Sequence, residues 1–188
     1  MSSKNLLPPL KYAYFGGGCF WCIEAVFQDL IGVQSVTNGY SGGLKSNANY
    51  QDVSAGKTKH TEICKIGYNP DIITFDVLLK VFFLAHNPTL LNQQGHDLGP
   101  QYRSIIFYND KGEKEKAQKH IKTLILEKIY SHITTQIEEI KHFFKAEKHH
   151  QNYFNRNPHK EYCSYIINPK INKLRKKLSK YYPKKKDV

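Results

Sequence analysis

The chain has 188 residues, the size of one domain, with 40% hydrophobic residues, 13 Tyr and 10 Phe available for a core. No apolar run approaches the length of a membrane span, and Met1 to Leu10 lacks the apolar segment and cleavage site of a signal peptide, so a cytoplasmic location is expected. The formal net charge of +12 admits nucleic acid or an anionic surface, but much of the excess is Lys170, Lys173, Arg175, Lys176, Lys177, Lys180, Lys184, Lys185 and Lys186, the pattern of a solvated helix end and tail.

Tyr12–Phe15 is a short apolar run that stops at Gly16-Gly17-Gly18. Ile23, Val26, Phe27 and Leu30 then follow helical spacing, and Gly32 ends that helix. Val33–Tyr40 is expected as a strand and 44–60 as an irregular surface loop. Thr61–Tyr68 alternates as a strand, closed by Asn69-Pro70-Asp71. Thr74 is placed to cap a helix over Phe75–Ala85. His86–Gln101 is a long loop, and long loops in compact domains are usually functional.

Tyr102–Tyr108 is expected as a strand and Asn109–Gly112 as a turn. A helix over Glu113–Tyr130 would bury Ala117, Ile121, Leu124, Ile125 and Ile129. His132–Ile140 is expected as the last strand, followed by helical stretches over Ala146–Phe154 and Ile171–Lys180. Strands alternating with helices give an α/β or α+β sheet with helices packed on it.

The four cysteines are Cys19, Cys22, Cys64 and Cys163. A chain without an export signal has little use for a structural disulfide framework, so the close pair Cys19-Phe20-Trp21-Cys22 points to redox chemistry or a metal. Zinc needs four ligands, commonly from two paired clusters, and Cys64 and Cys163 are isolated singles. A phosphate loop is excluded because no Lys-Ser or Lys-Thr follows the glycines.

Cys19 falls at the expected helix start, where free N–H groups and the helix dipole favour a thiolate. Phe20 and Trp21 beside it would form either an apolar wall for a small group or ordinary core. Cys22 is one helical turn away, within reach of a disulfide. Glu62 and Cys64 share one face of their strand.

The run Gly18-Cys19-Phe20-Trp21 resembles the nucleophile motif of the A-type methionine sulfoxide reductases. Further segments are similar to that family in the same order: Gly39-Tyr40-Ser41-Gly42-Gly43, His60-Thr61-Glu62, and His86 with Pro88-Thr89. They continue through Asn92 with Gln94-Gly95, Asp97 with Gly99 and Gln101-Tyr102-Arg103-Ser104, Ala146-Glu147 with His150-Gln151 and Tyr153, and Tyr162-Cys163. Collinear motifs of distinctive residue types weigh far more than any one of them. Asn87, Gln93 and His149 depart from the usual Asp, Arg and Tyr.

The resemblance implies a two-layer α/β (α+β) sandwich, ferredoxin-like, with a mixed sheet, packed helices and substantial coil. It implies one catalytic domain over residues 11–178, between an extension (1–10) and a basic tail (179–188). It also implies reduction of the S-epimer of methionine sulfoxide by Cys19, with Glu62 as acid, Tyr40 and Tyr102 as hydrogen-bond donors to the sulfoxide oxygen, Asp97 in the supporting network, and Phe20 and Trp21 around the S-methyl group. Cys22, with Cys163 as an alternative, would resolve the resulting sulfenic acid. Thioredoxin would return the electrons, with no cofactor, and the chain would act as a monomer without specific nucleic-acid or membrane partners. A disulfide oxidoreductase would explain the Cys pair but not Glu62 or the segment Asp97–Ser104.

Overall fold

The computed structural model describes residues 9–183. Strand β1 (Lys11–Gly16) runs through the glycines into α1 (Phe20–Phe27), and β2 (Val33–Ser41) follows. Next come α2 (Tyr50–Ser54), β3 (Thr61–Tyr68) and α3 (Phe75–Ala85). Strands β4 (Gln93–Gln94) and β5 (Asp97–Leu98) form a small hairpin of their own. The chain continues through β6 (Ile105–Tyr108), α4 (Lys111–Leu126), β7 (Gln136–Glu139), β8 (Phe144–Lys145), α5 (Tyr153–Arg156) and α6 (Asn168–Lys177).

The main sheet has six strands in the order β7-β6-β1-β3-β2-β8. The β6–β7 pair is parallel and the other pairs are antiparallel. Within it, β1–α1–β2–β3–α3–β6 sets its strands in the order β6-β1-β3-β2, the ferredoxin-like split βαβ arrangement. This is the expected mixed sheet with packed helices.

Alternation along each strand sends neighbours to opposite faces. Phe15, Tyr40, Cys64 and Ile66 join the helices in the main core, where Phe15 packs against Phe82, Phe27 and Phe75 at 4.8, 5.7 and 5.9 Å between ring centres. The other face carries Tyr14, Ile63, Ile105 and Phe107, covered by Ile140 and Phe143. The register sets Asn38 opposite Cys64 and Tyr40 opposite Glu62, so all four side chains share the helix-bearing face.

Several expectations change. The stretch 44–60 is not wholly irregular: Asn49 accepts the Asp52 amide at 3.0 Å and starts α2. Helix α4 starts earlier and ends earlier than expected, capped by Asp110 at one end and followed by Lys128 at φ 56° at the other. Of its expected core face only Ala117 is fully buried; Ile121 and Leu124 pack partly, while Ile125 and Ile129 are exposed. The last strand is β8, not the segment ending at Ile140.

Ala146–Phe154 is broken into short turns, with Asn152 in the left-handed region, rather than one helix. The final helix starts at Asn168, three residues before Ile171. The basic end is less free than a tail: Arg175 pairs with Asp29 at 2.6 Å, the Tyr182 hydroxyl donates to Val26 O, and the Ile31 amide donates to Tyr181 O. The folded body therefore passes 178 and includes Tyr182. Residues 1–8 of the expected extension, and Lys184, Lys185 and Lys186, lie outside the described residues.

Candidate active site

Three glycines carry the chain from β1 to α1 because there is no room for side chains. A Cβ on Gly16 would lie 2.8 Å from Glu62 O, and Gly18, at φ +86°, would put one 2.7 Å from Gln94 Cγ. The Gly18 amide donates to Tyr102 O at 3.1 Å, tying the turn to the segment before β6. His86 backs the loop: its Nδ1 can only donate to Phe82 O, at 2.7 Å. In the neutral ring, Nε2 then accepts from Ser104 Oγ, also at 2.7 Å. Burial lowers the His86 pKa to about 4, which keeps the ring neutral.

Cys19 is the cap residue of α1 and is 8% exposed. The expected thiolate is not the resting form. Burial, then the nearby Glu62 and Cys22, push the thiol well above its ordinary value, and the Trp21 amide pulls the other way without prevailing. Cys19 therefore rests as a thiol and must lose its proton during reaction.

Glu62 is buried on β3 and accepts the Phe20 amide at 3.0 Å. Burial raises its pKa to about 8, opposed by the Phe20 bond and assisted by Asp97. A carboxyl group that is protonated at neutral pH is thus bonded to the amide of the residue that follows the nucleophile. This is the environment a general acid requires.

Tyr40 is fully buried, and its hydroxyl donates to Glu147 Oε2 at 2.8 Å. Glu147 Oε1 accepts the Tyr50 amide at 2.9 Å, which pins the start of α2. Burial works to raise the Glu147 carboxyl, but the bonds from the Tyr50 amide and Tyr40 hydroxyl outweigh it and hold the group below its ordinary value. The site thus holds one carboxyl poised neutral, Glu62, and one poised ionised, Glu147. Tyr102 ends a short helical turn, and burial followed by Glu62 raises its hydroxyl well above the ordinary phenol value.

Trp21 lies flat on Tyr153, 3.6 Å between ring centres and 6° between planes. Phe20 is tilted against Tyr40 at 5.9 Å. The Tyr153 ring is held from below: Glu24 on α1 is buried and accepts the amides of Asn152 and Tyr153 at 2.6 and 2.9 Å. His150 sits against Tyr50, Phe20 and Trp21 at 4.2, 5.4 and 5.6 Å. Neither of its ring nitrogens, nor Trp21 Nε1, finds a hydrogen-bond partner among the described residues.

A cleft opens beside Cys19 and Cys22, bounded also by Asp97, Tyr162, Ile166 and Lys170. Asp97 Oδ2 accepts the Tyr162 hydroxyl at 3.2 Å, and that hydroxyl lies 3.4 Å from Cys22 Sγ. Cys22 and Cys163 are both free and share a small buried cluster with Ala25, Ile167 and Ile171. Cys64 is fully buried with two acceptors for its one S–H, Asn38 Oδ1 at 3.1 Å and Phe20 O at 3.4 Å, the satisfied state of a core thiol. No group of three or more His, Cys, Asp or Glu suited to a metal occurs among the described residues. No helix among them is long and apolar enough to cross a membrane.

Of the expected site residues, Cys19, Cys22 and Asp97 line this cleft, while Phe20, Tyr40 and Glu62 are buried behind it, linked by the Phe20 amide bond to Glu62 and the Phe20–Tyr40 ring contact. Tyr162 and Lys170 join the cleft, and Glu24 and Glu147 anchor the segments around it, although their spacing in the chain gave them no role. Glu147 and Tyr162 were visible only as members of motifs. The departures are local: Gln93 Nε2 donates to Gly95 O at 3.0 Å, and Asn87 Oδ1 accepts from Thr89, so both serve their own loop. His149 packs tilted against His150, 4.0 Å between ring centres.

The family model described as peptide methionine sulfoxide reductase matches residues 11–182. The peptide methionine sulfoxide reductase MsrA of Nautilia profundicola is 48% identical over 87% of this chain and 94% of its own length. That of Polynucleobacter asymbioticus is 45% identical over 94% and 93%. Among solved structures, the reduced form of Mxr1 from Saccharomyces cerevisiae superposes with a TM-score of 0.77 at 32% identity, covering 83% of this chain and 90% of that one. Methionine sulfoxide reductase A of Corynebacterium diphtheriae gives 0.71 at 32% identity, covering 80% and 76%. Mxr1 has also been solved in complex with Trx2. The chain belongs to the peptide methionine sulfoxide reductase family.

Proposed function

We propose that this chain reduces the S-epimer of methionine sulfoxide, peptide-bound and free, with Cys19 as nucleophile and Glu62 as general acid. The observation that carries the assignment is the Phe20 amide bond to Glu62, which holds a carboxyl with pKa about 8 beside the cysteine. A sulfoxide sulfur becomes electrophilic when its oxygen is protonated. Glu62 gives that proton, Cys19 attacks sulfur, and the Cys19 thiol proton returns to Glu62. The oxygen passes to Cys19, which becomes a sulfenic acid, and methionine leaves. Tyr102 donates to the sulfoxide oxygen and Tyr40 joins it by turning its single hydroxyl proton from Glu147 to the substrate, Asp97 supports the cysteine end, and Phe20 and Trp21 receive the S-methyl group.

Cys22 then attacks the Cys19 sulfenic sulfur, giving a disulfide and water. Its place in the same cleft favours it over Cys163, which is fully buried. Thioredoxin reduces the disulfide, a reading supported by the Trx2 complex of Mxr1. The reaction needs no cofactor, and the catalytic unit is a single cytoplasmic domain acting as a monomer. The test is multiple turnover with thioredoxin, thioredoxin reductase and NADPH for Cys22→Ser and Cys163→Ser. Loss in C22S and retention in C163S is expected; the reverse would move the resolving role to Cys163.

A further inference from the structure

The resolving step has an unanswered proton problem. Cys22 must become a thiolate to attack, yet burial pushes its thiol up, and only Lys170 and the Tyr162 hydroxyl pull it back. The hydrogen bonds around it have a single consistent direction. Tyr162 has one hydroxyl proton and gives it to Asp97 Oδ2, which is 3.2 Å away. The contact of 3.4 Å between the same hydroxyl and Cys22 Sγ must then run from the thiol to the tyrosine oxygen. The chain S–H to O–H to carboxylate is complete, and all three groups line one cleft with Cys19.

We infer that Tyr162 is a catalytic residue of the resolving step: it takes the Cys22 thiol proton and passes its own to Asp97 while Cys22 attacks the Cys19 sulfenic sulfur. This deepens the reductase reading above and rests on it. The balance closes within the site. Cys22–SH and Cys19–SOH become the Cys19–Cys22 disulfide and one water. The S–O bond of Cys19 breaks as the S–S bond forms, and the proton collected on Asp97 leaves with the departing hydroxide. Burial, followed by the surrounding Cys19 and Cys22, raises the Tyr162 hydroxyl far above an ordinary phenol, so the two transfers are concerted and no phenolate forms. Burial also raises Asp97, making it a better proton acceptor than an exposed aspartate. After transfer the tyrosine hydroxyl faces the new thiolate and donates to it.

The test separates the two steps in a single turnover of the full chain with methionine S-sulfoxide and no reductant. Methionine is quantified directly. The Cys19 sulfenic acid is trapped with a 1,3-diketone and the disulfide read by intact mass. Tyr162→Phe keeps the ring that packs edge-on to Trp21 at 5.9 Å, so the fold is retained. Expected is disulfide closure slowed on the order of 100-fold, a loss far larger than any change in methionine formation. Y162F combined with Asp97→Asn should close no more slowly than Y162F alone, because both cut the same chain.

Closure at the wild-type rate in Y162F, or equal slowing of both steps, would overturn the inference. Cys22→Ser that still forms a Cys19 disulfide at full rate would remove Cys22 as resolver and the relay with it, while leaving sulfoxide reduction standing. Wild type forming no methionine would overturn the reductase reading itself.

Discussion

The amide of Phe20 donates to the Glu62 carboxylate oxygen at 3.0 Å. Through that bond the first turn of α1 and the start of β3 hold the nucleophile and the acid in one frame. Glu62→Gln preserves an acceptor for the amide but cannot deliver a proton. Turnover of methionine S-sulfoxide should fall on the order of 100- to 10,000-fold. Wild-type turnover should decline as pH rises through about 8, where Glu62 ionises. The same group governs stability. Its pKa rises from 4.5 unfolded to about 8 folded, so below 4.5 both states are protonated, and between the two values only the folded state keeps its proton. Stability should therefore fall across that window and level off above it. Denaturant midpoints of wild type should show this slope, and E62Q should lose it.

Tyr40 gives its only hydroxyl proton to Glu147, 107 positions away in the chain. Glu147→Gln and Tyr40→Phe should each lower kcat by about tenfold, and the double variant should lose no more than the larger single loss, because one contact is removed in each case. Multiplied losses in a steady-state double-mutant cycle would mean that the two residues act independently.

Trp21 is the only tryptophan of the chain, and it stacks on Tyr153. Intrinsic fluorescence therefore reports on this one site. Tyr153→Leu should shift the emission and cost about 1 kcal/mol of stability beyond lost area. It should also raise KM several-fold with a smaller effect on kcat, since the ring holds the methyl pocket rather than the reacting atoms. Emission scans and steady-state kinetics check both.

Gly18 combines φ +86° with a Cβ position 2.7 Å from Gln94 Cγ. Gly18→Ala should destabilise the protein by about 1–3 kcal/mol through backbone strain. Adding Gln94→Ala should relieve the contact but not the dihedral, leaving a residual loss in thermal melting.

Some of the chain announces its structure plainly. Thr61–Tyr68 is a strand with the expected bounds, its side chains alternating between two buried faces, and Thr74 caps α3 through the Val77 amide at 3.3 Å. The same alternation puts Glu62 on the helix side. Helix α4 misleads because the apolar period runs on through Ile125 and Ile129, both exposed, while the helix itself stops at Leu126 before Lys128 turns at φ 56°. Asn49 with Asp52 was a capping signal for α2 hidden in a polar stretch. The thiolate expected at Cys19 fails because a helix start is only one of several fields, and burial beside Glu62 is the larger. Contacts such as Tyr162 with Asp97, 65 positions apart, leave no local pattern in the sequence.

The central claim is met most directly by assaying each separated epimer of a blocked methionine sulfoxide, with dithiothreitol as reductant, for wild type and Cys19→Ser. The account predicts turnover of the S-epimer alone, abolished in the variant. Turnover of neither epimer by folded wild type, or undiminished turnover by C19S, would contradict it.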